Sequence, residues 1–135
     1  MEENLAIELH DSTLESIESH GEVLVARLTA YVHRSSGRPG IDAGSGWSQE
    51  LHLCFSSGLA SGSHNILPME ILQGYIESAG QRLQNTIPIP FVRGGPVTLV
   101  MNGWNEQRVE ISGVDLEAVL VGEARFVEQF PGTKG

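Results

Sequence analysis

Three groups of residues in this chain carry side chains with recognisable chemistry. Glu50, His52 and Cys54 alternate with Leu51, Leu53 and Phe55, the pattern of one strand face. Carboxylate, imidazole and thiolate all ligate zinc and related metals. Along a strand, residues i and i+2 lie about 6.6 Å apart and i and i+4 about 13 Å, so two of the three can share an ion and the third cannot. A full site would need His33 or His10 from a neighbouring strand. His52 and Cys54 are the metal candidates, weighed against a simpler reading in which polar residues line a solvent face. No metal is favoured. Cys54 as a nucleophile would need a base to depress its pKa, and His52 shares its face.

His10-Asp11 is the second group. Aspartate can orient an imidazole for acid–base work. The alternative is that Asp11 caps a turn at Ser12-Thr13 while His10 ends a strand. The third group is the segment 31–47, with Tyr31, His33, Arg34, Arg38, Asp42 and Trp47 among Ser35, Ser36, Gly37, Pro39, Gly40 and Gly44. Trp and Arg are enriched in binding hot spots, and glycine lets backbone amides approach a ligand. Tyr31, His33, Arg34, Arg38 and Trp47, with His10, are the candidate partner-binding residues. The competing reading is an ordered loop in which Trp47 plugs one end of a barrel and Arg34 or Arg38 pairs with an N-terminal acid. There is no Gly-x-Ser-x-Gly elbow, phosphate-binding glycine loop or His-Glu-x-x-His helix, so no catalytic residue is assigned and no cofactor is expected.

The elements that must position these residues repeat with period two. Leu5, Ile7 and Leu9 alternate with Ala6, Glu8 and His10. Asp11-Ser12-Thr13 then breaks the pattern, and His20-Gly21 reads as a turn. Over 22–34, Leu24, Ala26, Leu28, Ala30 and Val32 share one face, and Val23, Val25, Arg27, Thr29, Tyr31 and His33 the other. Segments 35–47 and 56–64 read as loops and 48–55 as a strand. Residues 65–84 allow a helix, with Asn65 and Pro68 near its start, but Gly74 and Gly80 inside it would each cost about 1 kcal/mol relative to Ala. A hairpin turning at Ala79-Gly80-Gln81 is preferred, and Pro88 and Pro90 put 87–90 at a sheet edge. Strands at 97–102, 107–112, 114–121 and 124–130 follow, punctuated by Gly113 and Gly122. The expected fold is one all-β domain over 1–135, an antiparallel sandwich or open barrel of seven to nine short strands. It has at most one short helix, at 67–73, and a loose tail at 131–135.

The totals bound the function. The chain has 135 residues, 16 Gly and one Cys, with 8 Lys+Arg against 17 Asp+Glu for a formal charge of −9. One cysteine makes no internal disulfide. That field repels a phosphate backbone, so nucleic acid is not an expected partner. No apolar run approaches the roughly 18–20 residues that cross a bilayer as a helix, so no membrane association is expected. The opening Met-Glu-Glu-Asn-Leu lacks the basic flank of a signal peptide, so a cytoplasmic location is expected. Residues 1–22 carry Glu2, Glu3, Glu8, Asp11, Glu15, Glu18 and Glu22 with no Arg or Lys, whereas 27–38 carry Arg27, Arg34 and Arg38 with no acid. Mutual attraction of the two stretches would give modest, salt-screened help to folding.

Several strings carry a resemblance: His10-Asp11-Ser12, Ala30-Tyr31-Val32-His33-Arg34-Ser35, Gly37-Arg38-Pro39-Gly40, Asp42-Ala43-Gly44-Ser45-Gly46-Trp47, Asn85-Thr86-Ile87-Pro88-Ile89-Pro90-Phe91, and Gly122-Glu123-Ala124-Arg125-Phe126-Val127-Glu128. Over residues 9–130 the chain resembles a group of small uncharacterised bacterial proteins. This implies a stand-alone bacterial domain and assigns no site. His10-Asp11-Ser12, followed by Leu14 and Ile17, also resembles some bacterial toxin-immunity proteins, which are small, often acidic, and act by binding. The expected function is a non-catalytic binding or interaction module, with a protein partner or a second copy joined through a sheet edge. The alternative is a small-molecule or metal-binding β-barrel, with or without enzymatic activity, with a site of His10, His33, His52 and Trp47.

Overall fold

The computed structural model describes residues 4–39, 41–62 and 67–131. Among these residues ten strands follow one another: β1 (Asn4–His20), β2 (Val23–Ser35), β3 (Gly44–Ser56), β4 (Leu59–Gly62), β5 (Met69–Glu70), β6 (Gln73–Ser78), β7 (Gln81–Gln84), β8 (Thr86–Ile89), β9 (Phe91–Asn102) and β10 (Arg108–Phe130). All pairings are antiparallel, in the order β5-β1-β2-β3-β10-β9-β6-β7, with β4 added to β10 and β8 to β1. The all-β antiparallel expectation holds, and the sheet curls into a half-barrel. Among the described residues there is no helix, so none is long and apolar enough to cross a membrane.

The main strands are longer than expected because they run through their interruptions. Asp11-Ser12-Thr13 is a bulge inside β1 rather than a turn: the register shifts between Glu8 and Thr13 while both flanks stay paired to β2. β10 likewise passes through Gly113 and Gly122, with register shifts against its neighbours near both. The loop expected at 35–47 shrinks to 36–43, because β2 runs to Ser35 and β3 begins at Gly44. Part of the loop expected at 56–64 is β4. The segment 67–73 is β5 and the start of β6 rather than a helix, and the 73–84 hairpin turns at Ala79-Gly80 as expected, with Gly80 at φ +77. A Cβ at Gly74 would press within 2.8 Å of the Val100 carbonyl and 3.1 Å of Leu9, so close strand packing explains this glycine. Asn65 and the tail from 132 onward lie outside the described residues.

The core follows the alternation. Leu24, Ala26, Leu28, Ala30 and Val32 of β2 are buried against Leu51, Leu53 and Phe55 of β3, Val109, Ile111 and Leu116 of β10, and Val97, Leu99 and Met101 of β9. Each large side chain contributes about 1.5–3 kcal/mol through burial. Single residues bridge the seam between β1 and β6. Asn85, at φ +62, donates its N–H to the Gly74 carbonyl, accepts the Gly74 N–H on its side chain at 2.9 Å, and accepts the Leu9 N–H on its own carbonyl at 2.7 Å. Asn tolerates that left-handed backbone better than most residues.

At one end the sheet outgrows the barrel. β9 leaves β10 after the Ala118–Phe91 pair, while β10 continues along β3 to Phe130. The projecting end is five strands wide, in the order β8-β1-β2-β3-β10.

Candidate functional site on the projecting sheet

Across the projecting end, strand pairing sorts the candidate residues by face. Ile87, Ile7, Val32, Trp47 and Phe126 form one cross-strand row on the inner face, continuous with the core. Thr86, Glu8, Tyr31, Ser48 and Arg125 form a row on the outer face, and Pro88, Ala6, His33, Gly46 and Glu128 form the next.

The outer face holds a cluster of acids, imidazoles and rings around Glu8. Although it faces away from the core, Glu8 is only 6 % exposed. The Thr86 hydroxyl donates to its carboxylate at 3.1–3.2 Å. His33 Nε2 lies 3.7 Å from Glu8 Oε1, and His10 Nδ1 lies 3.4 Å from Glu8 Oε2. The other nitrogen of His10 is 3.4 Å from Asp11, so two carboxylates bracket this imidazole. The Tyr31 ring packs 4.8 Å from the His33 ring, and Phe130 meets His33 edge-on at 4.9 Å. Glu128 is close enough to the Tyr31 hydroxyl to help raise its pKa; a Cβ on Gly46 would collide with that hydroxyl, so a side chain there would have to displace the ring. An open groove of about 550 Å³ adjoins the cluster through Phe130, with Ser35, Gly44 and Gln129 among its lining residues.

The β1 bulge aims this cluster. Ser12 is buried, donates its hydroxyl to the Glu8 carbonyl at 2.7 Å and accepts the Tyr31 N–H at 3.0 Å. One side chain thus replaces the ladder bonds that the extra residues interrupt, and the strand continues with His10 and Asp11 turned outward.

Electrostatics follow from this packing. Burial, reinforced by the bond to Glu128 and by nearby acids, pushes the Tyr31 hydroxyl up to about 12, so it remains a neutral donor. Burial lowers the His33 pKa below its ordinary 6.5, against the opposing pull of Glu8, Asp11 and Glu128. His33 Nδ1 is buried without a hydrogen-bond partner. No Arg or Lys pairs with Glu8 among the described residues.

Of the sequence candidates, the structure brings His10, Tyr31 and His33 together. It separates the others. Arg34 and Trp47 lie on the inner face, where the guanidinium stacks 4.3 Å over the indole, Trp47 Nε1 donates to Ser45 at 2.7 Å, and Phe126 packs edge-on at 5.4 Å. Arg38 sits in the 36–43 loop and pairs with Asp42 at 3.2 Å rather than with an N-terminal acid. His52 and Cys54 lie on the outer face of the barrel body, roughly 20 and 26 Å along β3 from the Gly46–His33 pair at about 3.3 Å per residue. His10, His33, His52 and Trp47 therefore do not converge. His52 bonds Glu50 at 2.5 Å, and burial together with Glu117 raises the Cys54 thiol pKa, which disfavours the thiolate that a nucleophile or ligand requires. Among the described residues, no three His, Cys, Asp or Glu side chains are placed to hold a metal.

Glu8, Thr86 and Glu128 were not evident as site residues. Glu8 shares a strand face with His10 by period two, a signal present in the sequence. Thr86 and Glu128 reach the cluster through pairings across 78 residues and from the far end of β10, and no local pattern marks them. Comparison with known protein families, curated proteins and solved structures found no match.

Proposed function

We propose that this protein is a non-catalytic binding module whose projecting sheet receives a cationic group, a lysine or arginine side chain of a protein partner, against the Glu8 cluster. The observation that carries this reading is Glu8 itself: a nine-tenths buried carboxylate with a hydroxyl and two imidazoles around it and, among the described residues, no Arg or Lys partner. A buried charge is costly unless it is paired. Desolvation keeps the His33 imidazole neutral at pH 7, so it does not supply the missing charge there. Asp11 and Glu128 add negative field, and the Tyr31, His33 and Phe130 rings offer faces to an incoming cation. The formal charge of −9 favours encounter with a basic partner.

Calorimetric titration with a short arginine- or lysine-rich peptide tests it, with a glutamate-rich peptide as control. The basic peptide is expected to bind, weakening as salt rises, and Glu8→Gln is expected to reduce affinity on the order of tenfold or more. Absence of binding to the basic peptide, or equal binding to both, would refute this function.

A further inference from the structure

The two edges of the projecting sheet are treated differently. β8 carries Pro88, with Pro90 just beyond it, and proline offers no N–H to a neighbouring strand. The opposite edge is the C-terminal half of β10. From Val119 to Phe130 it is paired to β3 on one side, and among the described residues no strand pairs with the other. This twelve-residue edge contains no proline or lysine. It leaves Val119, Phe126 and Val127 exposed, Phe126 at 54 % and Val127 at 47 %. It does carry two bulges and three charged residues, but an unpaired edge without proline keeps backbone groups that another strand can take up.

We infer that this edge pairs antiparallel with the same edge of a second copy, extending one sheet through both molecules. Charge complementarity selects that occupant. Arg125 pairs with Ser48 and Glu128 with Gly46, two positions apart on β3, so the bulge at Val127 puts both charged side chains on the outer face. About a two-fold axis at that bulge, each Arg125 lies opposite the second copy's Glu128, and each Phe126 opposite its Val127. Both ion pairs form at once because the contact is self-complementary. Arg125 makes no ion pair within its own chain among the described residues, and Glu128, close enough to Tyr31 to help raise its hydroxyl pKa, keeps carboxylate lone pairs for a guanidinium. The pairing also covers the exposed Phe126 and Val127. It stands whether or not the Glu8 cluster binds a cation.

Sedimentation velocity on the full chain, without ligand and over a wide concentration range, tests it. The expected species is a dimer. Arg125→Glu and Glu128→Arg, each placing like charges opposite one another, are expected to give folded monomers by circular dichroism. The combined R125E/E128R variant is expected to restore the dimer. A wild-type chain that is monomeric throughout, a dimer that survives both single substitutions, or a combined variant that stays monomeric would overturn it.

Discussion

In the barrel body β10 has a strand on each side: β9 pairs with 108–118, and β4 and β3 lie along the other side. In the projecting end, among the described residues, it has β3 alone. The faces differ as well. In the body, buried positions are almost wholly aliphatic and aromatic, and polar residues such as Glu50 and His52 stand on the outer face. In the projecting end the inner face is partly open at Phe126, while the outer face buries Glu8 and the β1 bulge buries Ser12. The body spends its strand pairing and apolar area on stability. The projecting end holds a charge in a poorly solvated place and leaves an edge unpaired, features that stability alone does not explain.

Two phenylalanines make the sharpest contrast. Phe55→Ala in the body is expected to cost about 3–5 kcal/mol in chemical denaturation, because the side chain is fully buried. Phe126→Ala, at a site 54 % exposed, is expected to cost under about 1 kcal/mol and instead to weaken dimerisation. Comparable losses at the two sites would erase the distinction.

Ser12→Ala comes next. It strands the Tyr31 N–H and the Glu8 carbonyl at the bulge, so a loss of about 1–3 kcal/mol is expected, together with weakened peptide binding. A stable variant with unchanged binding would show that the bulge does not hold the cluster.

Glu8→Gln separates stability from function. Removing a buried charge that has no Arg or Lys partner among the described residues is expected to leave thermal stability at or above that of the wild type while peptide binding falls. A large loss of stability would instead place Glu8 among the structural residues.

The smallest effect is in pH dependence. His33 has a lowered folded pKa, so below 6.5 the unfolded chain takes up its proton before the folded chain does. Its contribution is present above 6.5 and lost as pH falls from there through the lowered folded value. His33→Gln is expected to flatten this part of the stability curve, measured as the difference between wild-type and variant denaturation midpoints. Parallel curves would show that His33 is solvated in solution.

The body was legible in the sequence because one face per strand alternates cleanly, as in Leu24 to Val32 and Leu51 to Phe55. Gly80 and the prolines at 88 and 90 marked a hairpin and an edge for local steric reasons. The interruptions were not legible as bulges, because Asp11-Ser12-Thr13 has the composition of a turn. Only the Tyr31 N–H, brought in from β2, makes Ser12 a repair within a continuing strand. The site was half legible. Tyr31 and His33 follow from parity along β2, and His10 from its chemistry. Arg34 and Trp47 belong to the opposite face, which the parity of β2 implies for Arg34 but a loop reading of 35–47 obscured for Trp47. Thr86 and Glu128 depend on the sheet order, which no local pattern encodes.

The most direct measurement is a ¹H–¹⁵N correlation spectrum followed during titration with an arginine-rich peptide. Shifts are expected at Glu8, His10, Tyr31, His33 and Thr86, with Leu51, Phe55 and Leu99 of the body unmoved, and they are expected to vanish in Glu8→Gln. An unresponsive spectrum, or shifts centred on the body, would contradict the assignment of the projecting sheet as the recognition surface.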